Sequence, residues 1–346
     1  MSYSNSSLNC FANCMAKYKL NYIEHVQPDS ISPHLTFGAM AHEVLEKAGR
    51  LRDDAADKVI DEDYYDTIIP SDVLYNDLKN FFQIKSWHNY FTPVIKQIAT
   101  YEHNCVKELS ARGDVQVERE VKLQLTPEQL KNYGLSYCLD EPFVGVVDLL
   151  LYTKDSAIIL DYKFSTKRKD QDDFDMNSQL PLYALLVHLN YDIPLHNIQY
   201  GYIDIPKQEF GIPSLLTNGT VSRAKSQNVS QDTYEQFVKA IHGDDPYYNC
   251  EPGGYYYDAW CNFALNKPAY ISKQYLDEEV YENIIHDLIT TAEVISKMKT
   301  YMPYNQAFVR KYDSYSCKGC EYLKSCKPWL SVNGDTLWEN IFLTSI

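Results

Sequence analysis

The sequence predicts an α/β (α+β) fold, a central sheet with helices before and after it in the chain. Three observations predict it. Residues 114–125, "DVQVEREVKLQL", place Val115, Val117, Val121, Leu123 and Leu125 in the period-two rhythm of a strand. Residues 143–165, "FVGVVDLLLYTKDSAIILDYKFS", read as two more strands joined by a turn at Lys154–Ser156. The helical segment "MNSQLPLYALLVHL" then separates these from a further strand, "NIQYGYIDI".

The flanking elements follow in order. Within residues 1–30, Leu8, Phe11, Met15, Tyr18 and Tyr22 fall near helical spacing. After the loop "QPDSISPH", the segment "LTFGAMAHEVLEKAGRL" is an amphipathic helix with Phe37, Met40, Ala41, Val44 and Leu45 on its apolar side. Residues 72–110 read as helical. Residues 206–272 are rich in loops and tyrosine and include "TNGTVS", a turn, and "EPGGYYYDAW". A long helix over 276–300 precedes the cysteine-rich stretch "SCKGCEYLKSC" at 316–326.

The 346 residues are ample for a buried core, and 45% hydrophobic with 23% charged residues is the composition of a globular protein. The expected organisation is one domain over 1–346. Its parts are a helical 1–110, a core over 114–205, an insertion over 206–272 and a C-terminal part over 273–346. No apolar run approaches the roughly 18–20 residues of a membrane span. "MSYSNSSLNC" lacks the basic and apolar regions of a secretory leader, so a cytoplasmic location is expected. A net charge of −15 argues against a non-specific DNA-coating protein but leaves room for a local basic channel. No phosphate-binding G-x-x-x-x-G-K-[ST] loop occurs, which argues against an ATP-driven motor.

Chemistry concentrates in "GVVDLLLYTKDSAIILDYKFSTK". A hairpin turning near residue 155 brings Asp148 close to Asp161, and Lys163 shares a face with Asp161. Two carboxylates and an ammonium at one point suit metal-assisted phosphodiester hydrolysis. Carboxylates are the ligands Mg²⁺ and Mn²⁺ prefer, and a lysine can orient water or offset phosphate charge. The plainer reading makes Asp161 and Lys163 solvent-facing strand residues. The apolar "AIILD" before them argues instead for a buried strand that ends where the sheet opens to solvent.

Of nine cysteines, Cys105, Cys138, Cys250 and Cys261 are isolated and are expected to pack as small buried hydrophobes. Cys317, Cys320 and Cys326 form a C-x2-C-x5-C trio, a thiol density that points to a metal or cluster needing a fourth ligand. Zinc and an iron–sulfur cluster satisfy four thiolates equally.

Four motifs in order resemble the RecB-like branch of the PD-(D/E)XK nucleases. They are Gly38 to Glu46 as G-x-x-x-H-x-x-x-E, Gly145 to Asp148 as G-x-x-D, Asp161-Tyr162-Lys163 as D-x-K, and Gln179 to Tyr183 as Q-x-x-x-Y. The resemblance implies a restriction-endonuclease-like core, a mixed central sheet flanked by helices. It implies that His42, Asp148, Asp161 and the Tyr162 carbonyl hold Mg²⁺ or Mn²⁺. Asp148, Asp161, Lys163, Gln179 and Tyr183 are then catalytic, with Gln179 and Tyr183 facing the DNA strand. The G-x-x-D form replaces the family's "PD", as is usual in this branch.

Cluster-bearing members of the branch, which include CRISPR-associated RecB-like exonucleases, AddB-type proteins and phage recombination exonucleases, place one cysteine near the N-terminus and three near the C-terminus. Aligning Leu8, Phe11 and Tyr18 of "SSLNCFANCMAKY" makes Cys14 the fourth ligand, with Cys10 the alternative and Met15 where proline is usual. The implied [4Fe–4S] cluster, or structural Zn²⁺, would join Cys14 to Cys317, Cys320 and Cys326 and close the chain ends around the core.

Lys167, Arg168 and Lys169 follow the D-x-K strand, where a phosphate backbone would pass. Arg223 and Lys225 in "NGTVSRAKSQN" resemble a segment of phage-encoded members and form a second candidate DNA-contacting loop. The expected activity is a metal-dependent DNA exonuclease acting on single-stranded ends in recombination, repair or phage DNA metabolism. Recombination or replication proteins are the expected partners. The alternatives are a nuclease subunit of a helicase–nuclease or spacer-acquisition assembly, and a non-catalytic DNA-binding scaffold. The intact polar set argues against the scaffold.

Overall fold

Near-continuous apolar runs need cover on both faces. Here they form the two central strands, β2 (Phe143–Tyr152) and β3 (Ala157–Ser165). The Thr153 amide donates to the Ser156 carbonyl at 2.8 Å and closes the expected turn between them. Strand β1 (Gln116–Leu125) pairs antiparallel with β2. Strand β4 (Ile198–Pro206) pairs parallel with β3, through a crossover over helix α8 (Gln179–Tyr191). The sheet runs β1-β2-β3-β4, and two short strands, β7 (Ala269–Tyr270) and β8 (Gln274–Tyr275), both add antiparallel to β4. The predicted mixed sheet flanked by helices is therefore present.

The structure, a computed structural model, describes residues 2–55, 62–165 except 83, 85 and 140, 171–206, 211–215, 221–228, 235, 238–239, 241–257, 269–270, 274–275, 278–301, 308, 317 and 319–326. Helices cover both faces of the sheet. On one face α1 (Asn5–Asn13), α8 and α9 (Glu278–Tyr301) bury Leu8, Phe11, Leu182, Leu186, Ile289 and Ala292 against Val147, Leu150 and Ile159. On the other, α3 (Pro33–Ala55), α4 (Asn76–Phe82) and α5 (Trp87–Ser110) bury Phe37, Val44, Phe82, Phe91 and Ile98 against Leu149, Leu160 and Tyr162. Among the described residues no helix is long and apolar enough to cross a membrane.

Three expectations need correction. The helical run expected within 1–30 is broken at Cys14, whose backbone is extended (φ −159°, ψ 106°) between α1 and a short α2 (Met15–Tyr18). Cys105 is buried as expected, but Cys138 is exposed and Cys250 half-buried, because both lie in connections rather than on a packed element face. Cys261 lies outside the described residues. The expected loop around Arg223 and Lys225 is instead strand β6 (Val221–Asn228), paired with β5 (Gly211–Leu215) in a separate two-stranded sheet.

Candidate active site

The site arises where the sheet's alternation breaks. Along β2, Phe143 and Val147 enter one core, Leu149 and Leu151 the other, and Leu150 the first again, so the phase shifts at Asp148. The neighbouring strand breaks at the matching place. Arg119 pairs with Leu149 and Val121 with Val147, leaving Glu120 and Asp148 opposite one another outside the ladder. Glu120 has φ 50°, a left-handed conformation that costs a non-glycine residue on the order of 1–3 kcal/mol.

The β2–β3 ladder also ends here, at Leu149 opposite Leu160. Beyond it the Tyr162 amide donates to Asp148 Oδ2 at 2.7 Å, so a side chain replaces the backbone partner. The parting strands hold Asp148 beside Asp161. The sequence placed the D-x-K pair at an opening of the sheet. The opening lies between two central strands, and Asp161 is only 2% exposed.

Around Asp161 the predicted residues converge. Gln179 Nε2 donates to Asp161 Oδ1 at 3.1 Å and to the Tyr183 hydroxyl at 2.7 Å, while Lys163 Nζ donates to Gln179 Oε1 at 2.8 Å. Lys163 Nζ also forms an ion pair with Asp161 Oδ2 and lies 5.5 Å from the Tyr202 ring centroid. His42, on α3, brings Nδ1 to 3.5 Å from Asp148 Oδ1. Gln179 and Tyr183 lie one turn apart on α8. The structure turns them toward Asp161, and the Tyr183 ring is buried in the core.

The motif glycine has a packing reason. A Cβ on Gly145 would stand 2.7 Å from Leu186 Cδ1 and 2.8 Å from Tyr183 Cε1, so its absence lets α8 lie close on β2.

Electrostatics mark the cleft as unusual. Burial and the adjacent Asp161 push the Asp148 carboxyl well above the ordinary carboxylate range, against the pull of the Tyr162 amide and Lys163. Burial lowers the His42 imidazole, with Lys163 adding to that and Asp161 opposing it. Burial raises the Tyr183 phenol, and Asp161 raises it further.

Two carboxylates, an imidazole and a backbone carbonyl form a donor set suited to Mg²⁺ or Mn²⁺. Asp161 Oδ2 is buried and, despite its ion pair with Lys163, accepts no hydrogen bond of good geometry, which leaves a lone pair for a cation. The residues fit such an ion chemically. Among the described residues, however, no group of three or more His, Cys, Asp or Glu side chains is gathered as a closed ligand set.

Lys167, Arg168 and Lys169 lie outside the described residues, and Arg223 and Lys225 are placed only as positions on β6. The N-terminal cysteines Cys10 and Cys14 lie in the same neighbourhood as Cys320. Cys10 and Cys320 each feel the charge of Cys14, and burial pushes the Cys10 thiol up to about 11. Their thiols suit zinc or an iron–sulfur cluster by donor chemistry, but among the described residues they are not gathered into a ligand set.

Two groups of residues escaped the sequence reading. Asp29, in the loop before α3, accepts from the Ser325 amide at 3.2 Å and its hydroxyl at 3.0 Å, and also from the Lys324 amide. With a Lys17–Glu321 ion pair of 2.8 Å, it ties the N-terminal segment to the cysteine-rich segment. The second group centres on Glu102, a buried carboxylate on the apolar side of α5 between Ile98 and Cys105. A charge inside the stripe Ile95, Ile98, Glu102, Cys105, Leu109 was the available signal.

A family model described as "PD-(D/E)XK nuclease superfamily" matches residues 2–327. No curated protein matches the chain. Among solved structures, the crystal structure of a "Putative exonuclease" from Eubacterium rectale is similar at 14% identity and a TM-score of 0.32, covering 82% of this chain and 88% of that one.

Proposed function

The chain belongs to the PD-(D/E)XK nuclease superfamily, and from that premise we propose that it is a metal-dependent deoxyribonuclease, an exonuclease acting on single-stranded ends. The observation that carries the reading is the fork between β2 and β3, where Asp148 and Asp161 meet with Lys163 and His42 beside them. Asp148, Asp161, His42 and the Tyr162 carbonyl would hold Mg²⁺ or Mn²⁺. When bound, the cation supplies Lewis acidity for phosphodiester hydrolysis.

The chain's own groups do the positioning. Gln179 fixes the rotamer of Asp161 and the place of the Lys163 ammonium. Lys163 offers charge to a phosphate oxygen or orients the attacking water. The single-strand preference draws on the basic run Lys167–Lys169, which follows β3 directly in the chain, and on Arg223 and Lys225. Residues 1–346 act as one nuclease domain in this reading.

We also propose that Cys14, Cys317, Cys320 and Cys326 hold a structural [4Fe–4S] cluster, or zinc. The nearness of Cys10, Cys14 and Cys320, beside the Asp29 and Lys17 ties, supports it.

The test incubates the purified chain with Mn²⁺ or Mg²⁺ and end-labelled single-stranded, duplex and flapped DNA. Asp161→Ala should lower divalent-dependent cleavage by about 100-fold or more, since several kcal/mol of stabilisation is lost at roughly 1.4 kcal/mol per tenfold. Undiminished cleavage by Asp161→Ala would refute the site. Cleavage only of duplex DNA would refute the single-strand preference.

A further inference from the structure

Behind the fork lies an ionic group centred on the buried Glu102 and Arg119, none of whose charged side chains bonds to a proposed metal-binding side chain. Glu102 accepts four hydrogen bonds and so has no spare capacity. Its Oε1 takes the Tyr162 hydroxyl at 3.0 Å and Arg119 Nη1 at 3.2 Å, and its Oε2 takes Arg119 Nη2 at 3.0 Å and Arg52 Nη2 at 2.7 Å. Arg119 also reaches Asp53, with Nε at 2.6 Å from Oδ2 and Nη2 at 2.9 Å from Oδ1. Two guanidinium groups balance two carboxylates.

The group joins the elements that carry the site. Arg119 stands on β1 beside Glu120, and Tyr162 lies between Asp161 and Lys163 on β3. Arg52 and Asp53 belong to α3, the helix of His42. His42, Glu46, Gly49 and Asp53 are spaced four, three and four apart, so they share one face of α3. Gly49 admits the guanidinium: a Cβ there would lie 2.4 Å from Arg119 Nη1. The His42 face of α3 therefore rests directly on Arg119.

A purely stabilising role explains this poorly. Well-packed apolar residues usually match or exceed a buried ion group in stability, whereas ion groups of fixed geometry define one arrangement. The arrangement here ends on a functional atom. Tyr162 is anchored at its ring by Glu102, and its backbone amide fixes Asp148 Oδ2.

We propose that Glu102 is a positioning residue of the site. Through the Tyr162 hydroxyl it sets the backbone that orients Asp148, and through Arg119 and Arg52 it sets the His42 helix against the same fork. The inference rests on the nuclease reading above and deepens it.

Tyr162→Phe tests it by removing one oxygen while keeping the ring packed. Glu102→Gln is the second variant, keeping an acceptor and losing the charge. Two readouts are made without DNA: amide hydrogen exchange at Tyr162, and Mn²⁺ binding followed by the electron paramagnetic resonance of free Mn²⁺. Tyr162→Phe should speed exchange at residue 162 more than at Ile159. It should also weaken Mn²⁺ binding by about tenfold, the lower end of what outer partners of metal ligands contribute. Cleavage should then lose kcat with little change in KM for DNA.

Unaltered exchange at residue 162 in both variants overturns the inference. So does wild-type Mn²⁺ affinity in both folded variants, which leaves the nuclease reading standing. Wild-type protein that binds no Mn²⁺ overturns the metal reading first, and the inference with it.

Discussion

Gly145→Ala probes the contact between the G-x-x-D strand and the helix that carries Gln179 and Tyr183. The new methyl would meet Leu186 Cδ1 at 2.7 Å and Tyr183 Cε1 and Cδ1 at 2.8 and 3.0 Å. Carbon atoms rest comfortably at about 3.5–4.0 Å, so each contact falls short by nearly 1 Å. The Leu186 methyl can swing aside. The Tyr183 ring is held at its far end, where its hydroxyl meets the Gln179 amide that also donates to Asp161. Relief therefore requires α8 to lift from β2 or Tyr183 to rotate away from Gln179. Overpacking of this kind costs about 1–3 kcal/mol, and two clashing partners place the expectation near the upper end. Urea denaturation should show a lower midpoint at unchanged slope. Mn²⁺-dependent cleavage should fall because Asp161 loses its anchor. Adding Leu186→Ala removes one of the two clashes, so the double variant should cost less than the sum of the single ones, by at least about 0.5 kcal/mol. A wild-type midpoint for Gly145→Ala, or strict additivity in the double variant, would refute the reasoning.

Asp72, in the turn before α4, accepts the Trp87 amide at 2.8 Å and so caps α5, and Asp72→Ala should cost about 1 kcal/mol in urea denaturation near neutral pH. Slight burial raises its carboxyl, but the Trp87 amide, the Ser86 hydroxyl and Lys79 outweigh that and lower it. Its contribution is thus complete above the unfolded value of about 4 and fades as pH falls through the lowered folded value. The difference between wild type and Asp72→Ala should vanish in acid, and a difference that persists there would contradict the assignment. Asp29→Ala should speed amide exchange at Lys324 and Ser325, and unchanged rates would show that the end-to-end tie does not depend on it. Cys14→Ala should bleach anaerobically prepared protein and destabilise it by on the order of 5 kcal/mol through loss of a long loop closure, while Cys10→Ala leaves the colour. Stoichiometric zinc without iron would assign the site to zinc, and bleaching by Cys10→Ala alone would exchange the ligand.

The sequence by itself determined strands β1 to β4, the helix that crosses between β3 and β4, and the candidate residues His42, Asp148, Asp161, Lys163, Gln179 and Tyr183. Those signals are local: period two in β1, unbroken apolar runs in β2 and β3, and polar residues at fixed spacing. Its picture of residues 1–30 failed at Cys14, where apolar spacing near 3.6 continues through an extended residue. Spacing records which face is buried and does not register a single φ.

Only the tertiary structure decided how the candidates meet. The fork depends on two strands losing phase together at Glu120 and Asp148, a relation between chains of atoms 28 positions apart in sequence that neither strand displays alone. The inward turn of Gln179 and Tyr183 depends on how closely α8 approaches Gly145. The Glu102 group joins α3, α5, β1 and β3. Apart from Glu102, which interrupts an apolar stripe, each charge in it reads from sequence as a surface residue, because its partners come from other elements.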